Sequence, residues 1–124
     1  MKIRIKGNSI RFRLTKSEVE NLCENGLCRE KTTFDEVNFV YAVKASEQYK
    51  DLHALFLGNG IILNIPKANL SGWFENDQVG FYHSQELGCG EKLQLTLEKD
   101  FACMDETSED QSDNYPNPKK SITL

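Results

Sequence analysis

The chain has 124 residues and a net charge of −4, with 39% apolar and 27% charged side chains. That make-up suits one soluble globular domain, large enough to bury a core without disulfide or metal staples. The acidic balance argues against bulk binding of nucleic acid, and no apolar run approaches the roughly 20 residues that span a bilayer.

Met1-Lys-Ile-Arg-Ile alternates charged with apolar residues and lacks the apolar stretch of a signal peptide. The expectation is a cytoplasmic protein that meets no membrane. Cys23, Cys28, Cys89 and Cys103 form no C-x-x-C pair. In a reducing compartment they read as buried or incidental thiols rather than disulfides.

Residues 2–6 read as a strand, and Gly7-Asn8-Ser9 suits a tight hairpin turn. A second strand places Ile10, Phe12 and Leu14 on one face and Arg11 and Arg13 on the other. Thr15-Lys-Ser-Glu18 is a capping box that opens a helix over 15–25, with Val19, Leu22 and Cys23 as its apolar stripe. Strand-like runs at 27–33 and 38–45 complete the first half.

The pattern then returns. When Gly7 is laid on Gly58, Asn8 meets Asn59, Ile10 meets Ile61, Lys16 meets Lys67 and Glu24-Asn25 meets Glu75-Asn76. The apolar positions match as well: Phe12 with Leu63, Leu14 with Ile65, Val19 with Leu70, Leu22 with Trp73 and Cys23 with Phe74. Equal spacing of core positions implies equal local structure. A second helix is therefore expected near 66–76, with Pro66 in its first turn, followed by strands at 78–84 and 92–98. The resulting expectation is an α+β fold, an internally duplicated ββαββ unit with two helices. Its sheet would be mostly antiparallel and strongly curved or barrel-like. Residues 1–100 would form a single duplicated domain, with repeat 1 over about 1–46 and repeat 2 over about 53–99, and 101–124 an acidic C-terminal tail.

Three features carry candidate chemistry. The first hairpin has a basic face of Lys2, Arg4, Lys6, Arg11 and Arg13, whereas Leu55, Leu57, Ile62 and Asn64 stand at the positions matching the last four. Arg4, Lys6, Arg11 and Arg13 are the candidate anion-binding residues, for an anionic small molecule or an acidic protein segment. The plainer alternative is a solvated strand face that protects a sheet edge. The hairpin at 54–63 is apolar on both faces, which means central burial or a homodimer contact. The tail gathers Cys103, Asp105, Glu106, Glu109, Asp110 and Asp113 with no cation between Asp100 and Pro118. Such a set suits a divalent metal, with the thiol favouring a softer one. Alternatively it is a plain acidic tail, or a strap that docks on the basic face with Tyr115-Pro-Asn-Pro as its apolar anchor. His53 and His83 are the only neutral-pH bases, and neither belongs to a recognisable triad. Cys89 lies between two glycines, a weak nucleophile candidate.

The opening Lys2-Ile-Arg-Ile-Lys-Gly-Asn-Ser-Ile-Arg-Phe-Arg-Leu-Thr-Lys-Ser-Glu-Val resembles a family of small bacterial proteins known only as a domain of unknown function. The closing Asp100-Phe-Ala-Cys-Met-Asp105 and Glu109-Asp-Gln-Ser-Asp113-Asn-Tyr-Pro-Asn-Pro118 extend the resemblance over nearly the whole chain. It implies a bacterial cytosolic protein whose tail belongs to the fold, and carries over no catalytic residue and no cofactor. The favoured function is a non-enzymatic ligand- or partner-binding domain whose basic hairpin face receives an anionic group. The alternatives are a metal-dependent hydrolase acting on a phosphorylated substrate, with the tail carboxylates holding the ion, and a structural homodimer through 54–63.

Overall fold

Each half of the chain first makes two hairpins. In the computed structural model, which describes residues 1–101, 113 and 115, β1 (Lys2–Lys6) turns through Gly7-Asn8 into β2 (Ser9–Leu14). Helix α1 (Lys16–Asn25) follows, and then β3 (Leu27–Thr33) pairs with β4 (Asn38–Ser46). The second half repeats the scheme with β5 (His53–Leu57) on β6 (Gly60–Pro66), and β7 (Gly80–Glu86) on β8 (Lys92–Lys99). Period-two alternation accounts for the strands: Phe12 and Leu14 on β2, and Leu95 and Leu97 on β8, are all buried, with polar residues between them.

The hairpins do not join into one curved sheet. They form two four-stranded sheets, in the orders β1-β2-β8-β7 and β3-β4-β6-β5. Each takes one hairpin from the first half of the chain and one from the second: the outer two hairpins form one sheet and the middle two the other. Where the hairpins meet, the central pairs β2–β8 and β4–β6 are parallel. Neither sheet is closed or strongly curled. The expected mostly antiparallel, barrel-like sheet is thus corrected to two mixed, open sheets. Exchanging β1 for β5, β2 for β6, β8 for β4 and β7 for β3 turns one strand order into the other. At one junction a side chain replaces the ladder that closure would need. Gln85 of edge strand β7 accepts from the Ala54 N–H at 2.8 Å and donates to its carbonyl at 3.3 Å. A strand edge is satisfied there without sheet continuity.

The second expected helix is also corrected. Residues 66–76 hold a single 3-10 turn, Lys67–Leu70, followed by turns. Gly72 breaks the helical path, because its φ of 73° lies in the left-handed region. Its carbonyl accepts from the Asn76 N–H at 2.9 Å. In the first half no glycine intervenes before Gly26, and α1 runs its full length behind an intact Thr15–Glu18 capping box.

The core lies between the sheets and under α1. Val19, Leu22, Phe12, Leu14, Val43, Leu63, Ile65, Trp73 and Leu97 are fully buried. Trp73 packs on Phe81 with ring centroids 5.0 Å apart, and its Nε1–H donates to the Gln78 carbonyl at 2.9 Å. Among the described residues, no helix is long and apolar enough to cross a membrane.

Because Trp73 fills the core where the second helix is missing, Trp73→Ala should cost roughly 3–5 kcal/mol. Denaturant unfolding measures this. A loss under about 1 kcal/mol would show that the turn segment is not part of the cooperative core.

Candidate functional site

The outer face of the first sheet is built by cross-strand register. Arg4, Arg11, Thr96 and Tyr82 stand in one row across β1, β2, β8 and β7. The row on one side is Lys2, Arg13, Glu98 and Gly80. On the other it is Lys6, Ser9, Gln94 and Ser84. The four candidate anion-binding residues, Arg4, Lys6, Arg11 and Arg13, are thus brought onto one face of adjacent strands.

Two of the cross-strand pairs on this face carry like charge: Arg4 opposite Arg11, and Lys2 opposite Arg13. Directly opposed like charges destabilise a hairpin by up to about 1 kcal/mol each relative to neutral pairs. Glu98 offsets part of this. Its carboxylate accepts from Arg13 Nε at 2.9 Å and lies 3.6 Å from Arg11 Nε. Lys2 forms an ion pair with Asp100 at 3.3 Å. Arg4 and Lys6 have no ion pair or hydrogen-bonded side-chain partner among the described residues. They line a hollow of about 310 Å³ with Ser9, Ile10, Arg11 and Thr96. A neighbouring hollow of about 330 Å³ runs over Arg4, Arg11, Arg13 and Lys2.

The partners on β7 and β8 are not signalled by any motif. Glu98 and Thr96 reach the arginines only through the parallel pairing of β2 with β8. Gly80 makes room for them: a Cβ there would fall 2.6 Å from Glu98 Cβ and 2.4 Å from the Leu97 carbonyl oxygen. Tyr82 is 64% exposed, and its hydroxyl lies 3.5 Å from Glu98 Oε2 as donor. Burial, with the Glu98 charge beside it, raises the Tyr82 phenol above its ordinary value.

Two residues of the tail beyond Phe101, Asp113 and Tyr115, are described and lie away from this face. Of the candidate metal ligands, Cys103, Asp105, Glu106, Glu109 and Asp110 lie outside the described residues. Asp113 sits at the start of α1. Its main-chain carbonyl accepts from the Lys16 N–H at 2.9 Å, and its Oδ1 from the Ser17 hydroxyl at 3.1 Å. A helix start offers unpaired N–H donors and a positive dipole end, so it attracts a carboxylate. The Thr15 hydroxyl, then Ser17, hold the Asp113 carboxyl below its usual range. Among the described residues, no group of three or more His, Cys, Asp or Glu could hold a metal ion.

Tyr115 anchors beside it. Its N–H donates to the Asp100 carbonyl at 2.8 Å, and its ring packs edge-on against Phe101 at 5.6 Å. Lys99, which is buried, places its ammonium 5.1 Å from the Tyr115 ring and 5.6 Å from the Trp73 ring. That ammonium donates to the Asn76 carbonyl at 2.7 Å. Burial lowers the pKa of Lys99. Asp113 and Tyr115 therefore dock on α1 and the end of β8, not on the basic hairpin face.

The remaining candidates lie elsewhere. His53 stacks on Tyr49 at 4.1 Å on the second sheet, and Cys89 is exposed in a turn. The apolar hairpin at 54–63 is divided: Ala54, Ile61 and Leu63 are buried, whereas Phe56 and Leu57 are exposed.

A family model described only as a family of unknown function, DUF7009, matches residues 1–119. The chain belongs to that family. The match takes in both the sheets and the tail positions 113 and 115. No curated protein and no solved structure matches the chain.

Burial pushes the Tyr115 phenol up to about 12 from an ordinary value of 10. Between these values the folded chain keeps a proton that the unfolded chain loses. The contribution to stability is whole below pH 10 and is lost as pH rises towards about 12. The hydroxyl has no hydrogen-bond partner among the described residues. Tyr115→Phe should therefore melt within about 1 kcal/mol of the parent at neutral pH and lose less stability between about pH 10 and 12. Thermal melts across that range check it. An identical alkaline loss in both proteins would mean that the phenol is not buried.

Proposed function

We propose that this protein is a non-enzymatic binding domain whose β1–β2–β8 face receives an anionic group. One observation carries the reading. Arg4 stands opposite Arg11, and the nearby carboxylate of Glu98 is shared between Arg11 and Arg13, leaving Arg4 and Lys6 without a counter-charge among the described residues. A fold that tolerates opposed like charges on a hairpin gains little from them unless something negative arrives. Arginine presents a planar fork that matches phosphate and carboxylate oxygens, and Lys6 adds a point charge. The Thr96 hydroxyl supplies a further neutral donor at the floor of the hollow. Free thiols at Cys23, Cys28 and Cys89 suit a reducing cytoplasmic setting.

Arg4→Ala separates this reading from a purely structural one, because it should move stability and binding in opposite directions. Removing one of two opposed charges should leave the hairpin as stable or up to about 1 kcal/mol more stable in low salt. It should also weaken binding of pyrophosphate about tenfold or more, since charge-assisted hydrogen bonds are worth about 1.5–3 kcal/mol. Paired calorimetric titrations and thermal melts test both. Wild-type protein that shows no heat with pyrophosphate, or a variant that binds it unchanged, would overturn the proposal.

A further inference from the structure

We infer that the anionic group is the phosphate end of a mononucleotide whose base stacks on Tyr82. This rests on the anion-binding reading of the same face and names the ligand's other half. Tyr82 closes the row that Arg4 opens. The intervening residues are Arg11 and the short Thr96, and the neighbouring position on β7 is Gly80, which has no side chain. Neighbouring strands lie about 4.8 Å apart, so the row places a cation roughly 10 Å and another roughly 14 Å from the tyrosine. A ligand filling it must be flat at one end, anionic at the other and extended between.

The tyrosine is suited to that end. It is 64% exposed on an edge strand, and its hydroxyl lies 3.5 Å from Glu98 Oε2. An exposed aromatic ring with only two side-chain torsions has little freedom to lose on stacking, and every base has a complementary π-face. Glu98 is taken up by Arg13 and Arg11, while Arg4 and Lys6 have no counter-charge among the described residues, so the far end of the row is the one that draws a ligand's charged end. A single aromatic accommodates one base. The net charge of −4 is unfavourable for a polyanionic strand running past the row.

Calorimetric titration with ATP, tripolyphosphate and adenosine, all with a chelator present, separates the parts. ATP should bind about tenfold more tightly than tripolyphosphate, the scale of one base-on-aromatic contact. Tyr82→Ala should remove that advantage without changing tripolyphosphate affinity, and Tyr82→Phe should keep it. Equal binding of ATP and tripolyphosphate by the parent protein, or an unaltered preference in Tyr82→Ala, overturns the stacking inference and leaves the anion site standing. Failure of both ATP and tripolyphosphate to bind removes the anion site itself. A single-stranded oligonucleotide that binds more tightly than ATP would replace the one-base ligand with a strand.

Discussion

The carboxylate of Glu98 holds the basic face together. It lies within 4 Å of two guanidinium groups on a neighbouring strand, and it is itself largely shielded from water. At such separations the interaction of unit charges is strong only where solvent is partly excluded. Without Glu98, Arg11 and Arg13 would stand beside Arg4 and Lys2 with no negative charge between them and the rest of the sheet. Glu98 reaches them because β2 and β8, far apart in sequence, run side by side and parallel. The same pairing carries Leu95 and Leu97 into the core against Ile10 and Phe12. The electrostatics outside and the packing inside thus depend on one strand register, and a slip by one residue would exchange the two faces.

The end of β8 links this sheet to the tail. Asp100 donates its N–H to the Leu14 carbonyl and takes an ion pair from Lys2, while its own carbonyl receives the Tyr115 N–H. Asp113 then satisfies donors at the start of α1, next to the capping box that defines that helix. The charges of these two acids are therefore committed to organising the fold around β2 and α1. On the basic face, Arg4 and Lys6, further along β1 than Lys2, are left without an acid among the described residues.

What the sequence revealed was mostly local. The capping box at Thr15–Glu18, the Gly-Asn turns and the alternating residues of β2 and β8 are short-range signals, and these elements lie where the signals place them. The matched spacing of Phe12 with Leu63, Leu14 with Ile65 and Leu22 with Trp73 picked out residues that are all fully buried. Spacing could not show that Gly72 would turn the second helical segment after one 3-10 turn, because the apolar stripe of Leu70, Trp73 and Phe74 fits either conformation. Nor could hairpin signals show which hairpins would meet. The parallel β2–β8 and β4–β6 junctions are long-range choices, and they decide both the two-sheet architecture and the presence of Glu98, Thr96 and Tyr82 at the site. The basic residues of the site were legible from alternation on β1 and β2; their partners were not. Of the acidic run, Asp113 alone lies among the described residues, and there its carboxylate accepts from the Ser17 N–H and hydroxyl at the start of α1.

The most direct test is to remove the carboxylate and keep its shape. Tripolyphosphate is titrated into the parent protein and into Glu98→Gln over a range of salt concentrations, with thermal melts of both. If the face is an anion site held in check by Glu98, the variant should be less stable, bind tripolyphosphate several-fold more tightly, and lose that gain as salt shortens the Debye length towards about 3 Å near 1 M. Equal or weaker binding by Glu98→Gln in low salt would contradict it, because the cations of β1 and β2 would then serve the sheet alone.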